Sequence, residues 1–177
     1  MSIYKNINVL DLTIGPVGGL TTMVMADFGA SVIKIEPLKG DPFREMPSST
    51  TWLRGKRSIV MELQRNSEQV KLHGYIKNAD VVITNARPKI AKRLGIDSAK
   101  ILSINKRIIL CSITGFEEKG KLANIPGYEG LIAAKTGYMM TFEGIGRDKN
   151  KYREGPAYSG VLLASHAASQ IALQSIT

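Results

Sequence analysis

Apolar residues fall along this chain in two alternating rhythms: short, nearly continuous runs, and stretches where they return every three or four positions. The first rhythm marks a buried strand, and the second marks a helix with one face turned inward. The alternation is clearest from Asn8 to Pro37. Val9, Leu10 and Leu12 form an apolar run that stops at the turn-forming segment Gly15-Pro16-Val17-Gly18-Gly19. Val17, Leu20, Val24 and Phe28 then mark one face of a helix, and Gly29 offers it a left-handed cap. Val32 to Ile35 makes a second run that ends at Glu36-Pro37. Strand, glycine turn, helix and strand predict a right-handed βαβ unit. Such a unit sets backbone amides and a helix N-terminus at the strand's C-terminal edge, where anionic ligands bind.

The same rhythms continue downstream. Further strands are predicted at 58–63, 79–84 and 107–114, and the last two read as buried. Helices are predicted from Ser67 to Lys77, from Pro88 to Gly95, from Ser98 to Lys106, from Gly127 to Tyr138 and from Ser165 to Thr177. Between Pro37 and Ser58 lies LKGDPFREMPSSTTWLRGKR, read as a loop with Lys39, Arg44, Arg54, Lys56 and Arg57. It exceeds an ordinary connection, and loops of that length are usually functional or disordered. Met140 to Tyr158 reads as a second polar loop, carrying Lys149, Lys151 and Arg153. Strands alternating with helices predict an α/β fold with an open, mainly parallel sheet covered by helices.

Composition narrows this little. At 177 residues and 44% hydrophobic, the chain suffices for one domain with a real core. Its lone cysteine, Cys111, cannot form an internal disulfide, so a reducing cytoplasm is expected. No apolar run approaches the ~18 residues of a spanning helix, and a soluble protein is expected. The net charge of +9 has two readings, plain solubility or attraction to an anionic partner. The basic residues are dispersed and not interleaved with aromatics, which argues against nucleic acid. No metal site is expected.

Pattern alone suggests a dinucleotide site, because Gly15, Gly18 and Gly19 follow a strand and Glu36 ends the next one where a ribose-binding acid would stand. The spacing is G-x-x-G-G, however, and Pro16 removes an amide that would have faced a phosphate. That these glycines only permit a tight turn and close packing is the stronger reading.

The stretch VLDLTIGPVGGLTTMVMADFGASVIKIEPLKGDPFR, followed in order by KRSIVMEL, ADVVITNARPKIAKRLGI, LSINKRIILCSITGF and PGYEGLIAAKTG, resembles the class III CoA-transferases, the CaiB/BaiF family. Formyl-CoA transferase, carnitine CoA-transferase and α-methylacyl-CoA racemase are members. The resemblance implies a Rossmann-like large domain, of which residues 1–177 would be the N-terminal part, with the small domain and return segment absent. It also implies coenzyme A or acyl-CoA as substrate, no permanently bound cofactor, a carboxylic acid as the other substrate, and a homodimer or a hetero-assembly with a second such chain. No nucleic acid or membrane partner is implied. CoA-contacting positions fall on Gly15, Pro16 and Val17, on Pro37, on Asn85, Ala86 and Arg87, and on Arg93, with Gln64 where a lysine is common. Guanidinium forks suit the phosphates of CoA, although Arg93 reads equally well as a surface charge.

In the family, an aspartate carboxylate attacks the thioester to form a mixed anhydride, CoA adds to the enzyme carboxyl group, and the acceptor acid follows the reverse sequence. Here GPAYSGVLLASHAAS puts Ser165 at the aspartate position. His166 is adjacent, but neighbours on a helix point about a hundred degrees apart, so a Ser-His dyad is not expected. Ser165 as a helix cap and His166 as a packed or partly exposed residue is the favoured reading. The racemase His-Asp pair appears as Tyr128-Glu129, and Glu129 either helps hold the acyl or pantetheine end or is a structural glutamate. The expected function is CoA transfer between acyl-CoA thioesters and carboxylic acids. The alternatives are a catalytically silent CoA-binding half that needs a partner, and an NAD-type domain.

Overall fold

The computed structural model describes residues 2–142 and 155–177. Five strands, β1 (Asn8–Leu12), β2 (Ser31–Glu36), β3 (Lys56–Val60), β4 (Val81–Thr84) and β5 (Ile109–Ser112), form one sheet in the order β3-β2-β1-β4-β5. Every neighbouring pair is parallel. The connections carry helices α1 (Pro16–Asp27), α2 (Ser49–Leu53), α3 (Asn66–Asn78), α4 (Pro88–Arg93), α5 (Ser98–Ile104), α6 (Glu129–Thr136) and α7 (Leu163–Ile176). This is the open α/β sheet that the alternation of rhythms predicts.

Side chains alternate across a strand, so β1 sends Leu10 and Leu12 to one face and Val9 and Asp11 to the other. On the first face Leu10, Leu12, Ile35 and Val82 pack with Leu72 and Ile76 of α3 and Ile101 of α5. On the second, Val9, Val32, Val81 and Ile83 pack with Met25 of α1 and with Leu173 and Ile176 of α7. Leu72 and Ile76 are fully enclosed, a burial that contributes about 1.5–3 kcal/mol for each side chain. Among the described residues, no helix is long and apolar enough to cross a membrane.

Four local expectations need correction. The strand expected at 58–63 begins two residues earlier, at Lys56. The strand expected to be buried at 107–114 is instead at the edge among the described residues, where β5 pairs only with β4, and Ile109 is 47% exposed. The stretch after Pro37 is not a bare loop. It contains a 3-10 turn (Pro42–Glu45) and α2, anchored by the buried ring of Trp52. Finally, the face of α1 marked by Val17, Leu20, Val24 and Phe28 is not its buried face. Gly18, Thr21, Thr22 and Met25 are enclosed, whereas Phe28 is exposed. The helix is packed by the sheet, α2 and α7 together, so it buries small and hydroxyl side chains that carry no apolar signal. Of the second expected loop, residues 143–154, with Lys149, Lys151 and Arg153, lie outside the described residues.

Candidate functional site

The C-terminal ends of the strands open into a cleft of about 1020 Å³. Its floor is the turn between β1 and α1. Gly15 there has φ 76°, a conformation natural only for glycine, and any Cβ would lie 2.9 Å from the Phe43 ring. Gly18 serves a second need, because a Cβ there would come within 2.2 Å of Thr13. Close packing of α1 against the strand end thus accounts for Gly18, without any phosphate.

Beneath this turn sits a buried ionic network. Asp11 and Lys34 stand opposite each other in the β1–β2 register and share the α1 side of the sheet. Lys34 Nζ donates to the Thr13 carbonyl at 2.7 Å and lies 3.2 Å from Asp41 Oδ2. That same oxygen accepts the Gly15 N–H at 2.9 Å. Lys56 Nζ lies 3.1 Å from Asp11 Oδ2 and donates to the Gly19 carbonyl and to Thr22 Oγ1. Burial alone raises the Asp11 carboxyl, but Lys34, Lys56 and the hydroxyls of Thr13 and Thr22 outweigh it and hold the pKa at about 2. Burial also draws the Lys56 ammonium below its ordinary value, against the pull of Asp11. This cluster escaped the sequence reading. Its signal was present: a charged residue flanked by apolar ones inside each of two strands, Asp11 in VLDL and Lys34 in SVIKIE.

Glu36, the would-be ribose acid, is fully engaged. It accepts from Arg44 Nε at 2.7 Å, from Arg44 Nη2, from Ser58 Oγ at 2.8 Å and from the Asp41 N–H at 2.9 Å. Burial raises its carboxyl, and these donors reverse that to about 2. The donors that engage the Glu36 carboxylate thus all come from the chain itself.

The residues singled out for cofactor binding are brought together. Pro16, Val17, Pro37, Gln64, Asn85, Ala86, Arg87 and Arg93 all line the cleft, and Gly15 lies behind it on Asp41. Asn85 has its amide committed, donating to the Ile14 carbonyl at 2.7 Å and accepting the Ile14 N–H at 2.9 Å. Arg87 donates to the Asn124 carbonyl at 2.7 Å, and Ala86 N–H bonds Thr84 Oγ1. Arg93 is exposed at the mouth, and among the described residues it meets no hydrogen-bond or ionic partner. Lys39 also faces the cleft.

The far wall is made by the starts of α6 and α7. Ser165 lies there, but it does not cap its helix. Since α7 begins at Leu163, Ser165 is its third residue, and the cap comes from Glu129 across 36 positions of sequence. Glu129 Oε1 accepts the Ala164 N–H at 2.7 Å, and Oε2 accepts the Ser165 N–H at 2.9 Å and the Ser165 hydroxyl at 2.8 Å. A carboxylate on a helix N-terminus is favoured by the free amides and the helix dipole. The Ser165 hydroxyl is therefore directed to Glu129 and not to His166. Tyr128 and Tyr158, both exposed, complete this wall.

Among the described residues, no group of acidic, histidine and cysteine side chains is placed to hold a metal ion. Placed beside known proteins, residues 4–177 match the family model described as CoA-transferase family III. The acetyl-CoA:oxalate CoA-transferase of Acetobacter aceti is 34% identical over 77% of this chain and 38% of its own length. The succinate–glutarate CoA-transferase of Agrobacterium fabrum is 32% identical over 94% of this chain and 45% of its own. A crystal structure of a CaiB/BaiF family protein from Brucella suis superposes with a TM-score of 0.82 at 28% identity, covering 99% of this chain and 49% of that one. The chain spans less than half the length of these relatives. With the match running from Tyr4 to the last residue and the sheet shared with a solved member, the chain belongs to CoA-transferase family III.

Proposed function

We propose that the cleft binds coenzyme A thioesters and that the chain takes part in CoA transfer between an acyl-CoA and a carboxylic acid. The observation that carries this reading is the cleft's lining, which joins cations (Lys39, Arg87 and Arg93) with a carboxylate–serine pair, Glu129 and Ser165, around one space. Phosphates suit the first, and a thioester suits the second. A second reading, a CoA-binding part that is silent until a partner completes it, is favoured by Ser165 at the position where the family has an aspartate. Either way we take the working unit to be an assembly, a homodimer or a pair with a second CoA-transferase chain. The lone Cys111, unpaired, fits a cytoplasmic setting.

Titration calorimetry with CoA, dephospho-CoA and NAD tests the reading. CoA is expected to bind most tightly, and Arg93→Ala to weaken CoA by roughly tenfold or more while leaving dephospho-CoA nearly unchanged, as for a bond to a charged phosphate. Equal losses on both ligands would remove Arg93 from the 3′-phosphate. Tighter binding of NAD than of CoA would overturn the CoA assignment itself.

A further inference from the structure

Transfer of CoA from a thioester to a free acid conserves the thioester's energy when it passes through a covalent carrier that is itself a carboxylate, because an acyl anhydride keeps the acyl group activated enough to remake a thioester. Three carboxylates line the cleft: Glu36, Glu62 and Glu129. Glu36 is bound by the fork of Arg44 together with Ser58 and the Asp41 N–H. Glu62 is ion-paired with Arg65. Glu129 has neutral donors only, and among the described residues it has no cationic partner.

Resting on the proposed CoA transfer, we propose that Glu129 is the nucleophilic carboxylate of this chain and that Ser165 is its oxyanion donor. The two oxygens of Glu129 are held unequally. Oε1 accepts one bond, from the Ala164 N–H at 2.7 Å, and keeps acceptor capacity toward the cleft. Oε2 accepts two, from the Ser165 N–H at 2.9 Å and the Ser165 hydroxyl at 2.8 Å. Oε1 therefore attacks the thioester carbon, the C–S bond breaks, and CoA leaves as the thiolate with the electron pair. The acyl group is then joined to Glu129 as an anhydride whose remaining enzyme carbonyl oxygen is Oε2. The thiolate next adds to Glu129 Cδ. Negative charge develops on Oε2, where two donors on the α7 N-terminus already stand. Collapse expels the donor acid as its carboxylate and leaves a glutamyl-CoA thioester on Glu129. An acceptor carboxylate displaces the thiolate from Cδ, and the thiolate attacks the acceptor's acyl carbon to free Glu129 again. No proton changes hands, so the scheme needs no imidazole, and Tyr128 beside Glu129 is no obstacle. A serine suits the third position of α7 on this scheme, because its hydroxyl adds a donor that an aspartate there would lack.

The full chain is incubated with acetyl-CoA and trapped with hydroxylamine, and the modified residue is mapped by peptide mass spectrometry. CoA affinity is measured on the same preparation. A hydroxamate on Glu129, lost in a Glu129→Gln variant that still binds CoA, is the expected result. Ser165→Ala is expected to keep the label but to form it ~10²–10³-fold more slowly, as for one lost oxyanion donor. A label on another carboxylate, an acetyl ester on Ser165, or no label in a preparation that binds CoA would overturn the proposal alone. A preparation that does not bind CoA would overturn the function on which the proposal rests.

Discussion

The floor and the mouth of the cleft hold the same kinds of charge in opposite states. Under the β1–α1 turn, Asp11, Lys34 and Asp41 are sealed from water and each meets an opposite charge. At the mouth, Arg93 is exposed and meets none among the described residues. Buried charges that are paired fix geometry, because displacing one strands its partner without solvent. Exposed unpaired charges fix little, and remain available to a ligand. The floor is therefore architecture and, on the proposed function, the mouth is recognition, although Lys34 and Arg93 each read alone simply as a basic position.

The largest expected effect lies at the floor. Lys34→Ala removes the ammonium that joins Asp11, Asp41 and the Thr13 carbonyl, and should lower stability by about 3–5 kcal/mol in urea denaturation. A loss below about 1 kcal/mol would erase the contrast between floor and mouth.

Acid comes next. The folded Asp11 carboxyl at about 2 lies below its ordinary 3.8. A depressed carboxylate stabilises the fold above its unfolded pKa, and that contribution disappears as pH falls through the folded one. About 2 kcal/mol should be lost between about pH 4 and pH 2. Thermal melts across that window, for the wild type and for Asp11→Asn, should show the wild type losing the steeper share. Parallel slopes would remove Asp11 from the acid response.

The smallest effect belongs to the mouth. Arg93→Ala should leave stability within about 0.5 kcal/mol of wild type, as surface substitutions do. A larger loss would make Arg93 part of the architecture, and its role in binding would have to be judged again.

The sequence revealed whatever depends on local period. VLDL, SVIKIE and ADVVIT announce strands, and the glycine turn before α1 announces the edge on which the cleft opens. It concealed what depends on neighbours. Nothing in RIILCSIT says that this strand has a single partner among the described residues, since an edge strand and an interior one share the same apolar run. The inward face of α1 is glycine and threonine because the strand ends, α2 and α7 crowd it, and hydrophobic spacing points to its wrong side. Glu129 and Ser165 each looked like an isolated candidate. Only the packing of α6 beside α7 makes them one unit, and 36 intervening residues hide it.

The two bonds between the Asn85 side chain and the backbone of Ile14 tie together turns 71 residues apart in sequence. One of these turns follows β1 and the other follows β4, and both face the cleft. Tied in this way, they present a single preformed edge, so a guest that settles against one does not have to immobilise the other. Much of the ordering that a floppy site would demand on association has already happened when the chain folds.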